Sequence, residues 1–125
     1  MNIFQKLHGL LPSNQRHQRF ITLDPDGFSL KHSDSGICRI DWISVNEIVV
    51  FKHDLYSIDE ICLGFRCDEE DRYWWVGEED CGFEKLQNEF EQHFDGLLEN
   101  WRRSVAFPVF EENWTSIWKR GQKGG

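Results

Sequence analysis

No run in this 125-residue chain is long and apolar enough to cross a membrane as a helix. Met1 to Leu11 carries a single Lys and no long apolar core, so it does not read as a secretory signal. Four cysteines are present, Cys38, Cys62, Cys67 and Cys81, and none forms a C-x-x-C pair. Cys62 and Cys67 lie five apart in an expected strand. An odd offset puts them on opposite faces, so they cannot share a metal without a bulge. The chain also lacks G-x-S-x-G, a Gly-rich phosphate loop and H-E-x-x-H. We therefore expect a cytoplasmic protein with free thiols, no cofactor, no metal and no enzymatic activity.

Positive charge is the other shortage. Fourteen Lys and Arg face 22 Asp and Glu, a net charge of −8. Phosphate backbones and anionic headgroups repel such a chain, so neither nucleic acid nor membrane is an expected partner. A basic protein is favoured by the same argument.

Aromatic residues, by contrast, are plentiful: six Trp and ten Phe. They are more than one small core needs to hide, which points to an exposed aromatic surface and a partner. Hydrophobic content of 39% and charged content of 29% place the chain among globular proteins, as one domain spanning residues 1–125.

The longest regular pattern is Phe83, Leu86, Phe90, Phe94, Leu97 and Trp101. Its steps of three and four put all six on one helical face, with polar residues between them. Residues 80–103 thus read as a long capping helix, with Asp80 placed as its N-cap and Gly96 able to bend or end it. Residues 1–18 read as a short N-terminal helix, Asn2 to Leu11, and a solvated connector whose basic spot is Arg16, His17 and the adjoining Arg19. Residues 19–79 read as about six strands. Asp24-Pro25-Asp26-Gly27 is a tight turn with Gly27 at positive φ. Ile48-Val49-Val50-Phe51 suggests burial on both faces or a position near a barrel seam. Ile61, Leu63, Phe65 and Cys67 alternate with Cys62, Gly64 and Arg66. Residues 104–125 form an aromatic tail in which Phe110, Trp114, Ile117 and Trp118 build a second apolar helical face.

This order gives an α+β class: a bent antiparallel sheet or open barrel capped by a C-terminal amphipathic helix. In outline, Arg19 to Trp101 resembles the pleckstrin-homology-like superfold. That resemblance implies either phosphoinositide binding through basic residues of the first hairpin loop or a scaffold for protein contacts. The loop here, Asp24 to Gly27, has no Lys or Arg, so phosphoinositide binding is not expected. The small, acidic, aromatic-rich chain also looks like bacterial immunity proteins, which cover a basic toxin.

The function expected is a protein-interaction module with no catalytic role. Its partner-binding residues would be the acidic hairpin tip Asp68, Glu69, Glu70 and Asp71, or the tail residues Phe110, Trp114 and Trp118. The tail could also support a homo-oligomer. The alternative is a small-ligand protein or enzyme with a pocket between helix and sheet, using His53, Asp54, Tyr73, Trp75 and His93.

Overall fold

A computed structural model of the chain describes residues 7–8, 19–32, 36–54, 59–67, 72–103 and 114–121. They form a mixed α+β domain of two sheets and one helix. Strands β2 (Arg19–Asp24), β3 (Gly27–His32) and β4 (Gly36–Asp41) make an antiparallel meander. A 3₁₀ turn, Trp42–Ser44, leads into a second meander of β5 (Glu47–Asp54), β6 (Asp59–Arg66) and β7 (Tyr73–Gly77). β1 (Leu7–His8) pairs in parallel with β7, Leu7 opposite Tyr73. β8 (Thr115–Lys119) pairs antiparallel with the free side of β5, so the larger sheet runs β1-β7-β6-β5-β8. Helix α1 (Phe83–Phe90) crosses between the second meander and β8.

Among the described residues the sheets do not close into a barrel. They pack on a shared core, and β2 is linked to the turn after β7 by an isolated parallel bridge, Phe20 to Cys81, where Ile21 donates its N–H to the Cys81 carbonyl at 2.8 Å. Among the described residues eight strands stand where about six were expected, because Leu7–His8 and Thr115–Lys119 are both extended.

Alternation along the strands sorts the core. Ile48 and Val50 of β5, with Leu63 and Phe65 of β6, join a cluster that includes Phe28, Leu86, Phe90 and Trp101. Val49 and Phe51 point the other way and pack with Cys62, Tyr73 and Trp75. The β5 run is thus buried on both faces, as its composition suggested. Cys67 packs against the first cluster and Cys62 belongs to the second, as their odd offset requires. Phe28 meets Phe65 edge-on at 5.2 Å, and Phe65 meets Phe90 edge-on at 6.4 Å. Each fully buried side chain of this kind stabilises by roughly 1.5–3 kcal/mol.

Five local expectations are corrected. The helix does not reach Trp101: α1 ends at Phe90, a 3₁₀ turn covers Glu91–His93, and Phe94 is extended at φ −130°. Gly96, at φ +83°, carries the chain out of helical geometry, and bonds to β8 hold the segment that follows. Leu98 donates its N–H to the Ile117 carbonyl at 2.9 Å, and Trp118 Nε1 donates to the Asp95 carbonyl at 2.8 Å. Secondly, Asp80 is no N-cap. Gly82 is the N-cap, at φ +94°, and a Cβ there would lie 2.5 Å from the Ile21 carbonyl oxygen. Asp80 instead accepts the Gly77 N–H at 2.9 Å.

Thirdly, Thr115–Lys119 is a strand and not part of an apolar helical face. The open edge of β5 supplies hydrogen-bond partners that an isolated short helix would lack. Fourthly, Leu7–His8 is paired as strand and so is not within an N-terminal helix. The rest of residues 1–18 and residues 104–113 lie outside the described residues. Fifthly, Gly27 is needed for space and not for positive φ. A Cβ on it would sit 2.1 Å from the Ile40 carbonyl oxygen of β4.

Arg19 is another departure. It opens β2 only 2% exposed, with Nη2 on the Trp75 carbonyl at 2.5 Å and its guanidinium 4.6 Å over the Trp75 ring. Nε lies 3.6 Å from Asp80. Burying an arginine is tolerated when it is paired and hydrogen-bonded in this way.

Candidate functional site

Charge is unevenly spread. Residues 78–99 hold eight carboxylates, Glu78, Glu79, Asp80, Glu84, Glu89, Glu91, Asp95 and Glu99, against one cation, Lys85. That segment accounts for most of the net charge. α1 buries Phe83, Leu86 and Phe90 and so turns the residues between them outward. Glu79, Glu84, Glu89, Glu91, Asp95 and Glu99 are exposed, and none of them is ion-paired among the described residues. They make an acidic ridge along α1 and the segment after it.

The ridge borders a groove. Between α1 and the Gly96–Arg102 segment lies a cavity of about 660 Å³, with Phe94, Leu97, Leu98 and Trp101 among its walls and Glu91 and Glu99 beside them. Its floor is held in place. Trp101 is buried against Phe90, ring centroids 5.6 Å apart, and its Nε1 donates to Glu91 Oε1 at 2.8 Å. Arg102, also on the wall, donates to Gln87 Oε1 at 2.8 Å and pairs with Glu78, which offsets its charge. Leu98 stands 44% exposed on the rim, while its backbone is tied to β8.

A second cavity of about 460 Å³ lies between the Asp24–Pro25 turn and α1. Trp42 stacks on His93 there at 4.7 Å. Directly beneath the helix the space is filled by the first core cluster.

Other polar groups are spent on structure. Glu47, at the start of β5, accepts from Tyr73 Oη at 2.8 Å and from Arg66 Nε at 3.3 Å. Burial pushes the Glu47 carboxyl up, but hydrogen bonds from Tyr73 and Ser116, the Lys119 charge and Arg66 outweigh it and hold the group below its ordinary value. Burial, then the Glu47 carboxylate, pushes the Tyr73 hydroxyl up. On the outer face of the smaller sheet, Arg39 bridges Asp24 and Asp41. The Arg39 hydrogen bond, aided by the Asp26 N–H, lowers Asp24 to about 2. Exposed Phe20 and Ile37 share that face but are separated by Lys31, which is opposite both in register, so they form no continuous apolar patch. Burial raises the half-buried Cys38 thiol to about 11, which leaves it protonated and unreactive at neutral pH.

The residues singled out from the sequence scatter. Asp68, Glu69, Glu70, Asp71 and Phe110 lie outside the described residues. Trp114 is half-buried, stacked on Phe51 at 5.8 Å and edge-on to Tyr73 at 5.1 Å. Trp118 is half-buried against Phe94 at 4.8 Å, with Arg120 over its ring at 5.4 Å. Both tail tryptophans therefore spend much of their surface within the fold. Of the alternative set, Tyr73 and Trp75 sit in the second cluster, on the sheet face away from α1, and His93 is exposed on the α1 side. These three do not converge, and the side chains of His53 and Asp54 lie outside the described residues. Among the described residues no three of His, Cys, Asp and Glu come together as a metal site.

The acidic ridge was missed because each carboxylate, taken singly, reads as solvated helix surface. The signal was the ratio of eight acids to one base within one segment. No protein-family profile, curated protein or solved structure matches this chain.

Proposed function

We propose that this chain is a non-enzymatic protein-interaction module that binds a basic protein surface, as an immunity-type inhibitor does, on a pleckstrin-homology-like scaffold. The observation that carries the reading is the acidic ridge from Glu79 to Glu99, whose six exposed carboxylates have no ion pair among the described residues and, against the single cation Lys85, hold most of the net charge. Fields of this kind steer oppositely charged partners and select among them. Two meanders followed by a helix support the scaffold, with β8 as an addition after the helix. The acidic tip Asp68 to Asp71 adds to the same sign of charge.

The test is affinity capture from source lysate with the wild type and a Glu84→Lys/Glu89→Lys variant, each at low and high salt. The expected result is a basic protein recovered by the wild type at low salt, weakened by salt and lost by the variant. Recovery of one partner equally by both chains would refute the ridge as the contact.

A second reading, small-ligand binding, draws on the cavity of about 460 Å³ beside Trp42 and His93. A metabolite library screened by thermal shift, with His93→Ala as control, would reveal such a ligand as a stabilisation seen only in the wild type.

A further inference from the structure

We propose that the groove between α1 and the Gly96–Arg102 segment seats a basic amphipathic segment of the partner, one apolar side chain entering the groove while neighbouring Lys or Arg side chains meet Glu91 and Glu99. The inference rests on the interaction-module reading and specifies where the partner's chemistry is read.

The first argument is shape. The open groove of about 660 Å³ falls in the size range of small-ligand pockets and leaves room for a large side chain. Its walls are formed before any partner arrives. Trp101 is held by Phe90 and by its bond to Glu91, and the segment that carries it is tied to β8 by the bond from Leu98 to Ile117. A preformed groove avoids the ordering cost that weakens binding to mobile loops.

The second argument is charge. Glu91 and Glu99 lie in a mixed lining, with Leu97 and Leu98 beside Gln87 and Asn100, and no described cation pairs with either. The cation on the wall, Arg102, is already paired with Glu78. An acidic partner would therefore meet uncompensated repulsion, and a purely apolar one would leave both carboxylates partly desolvated without a counter-charge. A segment mixing Lys or Arg with Leu or an aromatic residue satisfies both walls. The long methylene stems of Lys and Arg can also lie along Leu97 and Leu98 with their charged heads out at the carboxylates.

The third argument is the exposure of Leu98. A leucine 44% exposed at the mouth of a cavity, beside a half-buried Leu97, places apolar surface where a partner's side chain would cover it. The other exposed apolar residues, Phe20, Ile37 and Ile43, lie on or next to the smaller sheet and have no described cavity beside them.

The experiment uses the full chain, isotopically labelled, and three synthetic peptides of equal length: one alternating Lys and Leu, one with Ser in place of Leu, and one with Glu in place of Lys. Backbone amide shifts and titrated affinities are followed for the wild type, for Leu98→Asp, and for Ile43→Asp, a change at an exposed apolar residue away from the groove that should leave peptide binding as in the wild type. The expected result is that the Lys/Leu peptide alone moves the amides of Leu97, Leu98 and Glu99 in the wild type. Leu98→Asp, confirmed folded by its amide spectrum, should then weaken it at least about tenfold, the scale of one buried apolar side chain. Equal binding of the Lys/Ser peptide, or Leu98→Asp binding as tightly as the wild type, would overturn the groove yet leave the acidic ridge as a contact surface. No shift at the groove with any peptide would also overturn it, and the lysate capture would then decide the wider reading separately.

Discussion

Trp101 Nε1 donates to Glu91 Oε1 at 2.8 Å, across the point where the helix has already ended. The two residues are ten apart, so the bond closes a loop and not a helical turn. It lets Trp101 stay on the apolar stripe begun by Phe83 although the backbone between them has left helical geometry at Phe94. Trp101→Phe keeps most of the buried ring and removes the donor. Urea unfolding should show a loss of about 1.5–3 kcal/mol at most, the range for a hydrogen bond to a charged acceptor. Glu91→Gln, which keeps an acceptor in place, should cost less.

Glu47 and Tyr73 make stability depend on pH at both ends. The folded carboxyl of Glu47 lies below its unfolded value, so the unfolded chain binds more protons as pH falls. The Glu47 contribution is therefore complete above the ordinary glutamate range, about pH 4.3, and is lost as pH drops through the folded value. Tyr73 behaves oppositely. Its folded hydroxyl is raised, so its contribution is complete below the ordinary tyrosine value of about 10 and is lost as pH climbs above it. Glu47→Gln should flatten the acid limb of a Tm-against-pH curve, and Tyr73→Phe the alkaline limb. An unchanged acid limb in Glu47→Gln would show that other carboxylates govern it.

The Asp24–Arg39 pair makes a narrower prediction. Asp24 is held to about 2 by Arg39 and by the Asp26 N–H. Its side-chain carbon resonance should titrate near that value, and Arg39→Met should return it towards the ordinary aspartate value of about 3.9. The pair is exposed, so the global Tm should move little in either chain.

Gly27→Ala should be among the most damaging single-methyl additions in the protein. The new Cβ would meet a backbone carbonyl of β4 at 2.1 Å, and neither strand can yield without breaking the meander. A loss of roughly 1–3 kcal/mol or more is expected in equilibrium unfolding. Gly121→Ala is the control for added bulk. A Cβ there meets no atom within 4 Å, so only its positive φ would oppose the change.

Patterns of period two and of three to four correctly sorted much of this chain. Ile61, Leu63, Phe65 and Cys67 share a side, the β5 run is buried on both faces, and all six residues of the Phe83–Trp101 stripe are buried or half-buried. The stripe identified burial correctly while overstating the helix, because an extended segment that wraps the same core can bury the same residues. The tail failed for a related reason. Trp114, Ile117 and Trp118 span five positions, too few for spacing to separate helix from strand. The candidate site was legible only as a charge ratio. The groove beside it was not, since its walls come from α1 and from a segment whose path is set by hydrogen bonds to β8.

The amino-acid sequence alone determined the class, the positions of the six strands between Arg19 and Gly77, the amphipathic face of α1 and the acidic balance, because these depend on local periodicity and composition. The tertiary structure decided where α1 stops, that the tail becomes β8 and that Arg19 and Asp80 are buried together. It also decided which carboxylates border a cavity. Each of these depends on hydrogen bonds and contacts between residues far apart in the chain, and no local pattern encodes the partner that a backbone group or side chain will find.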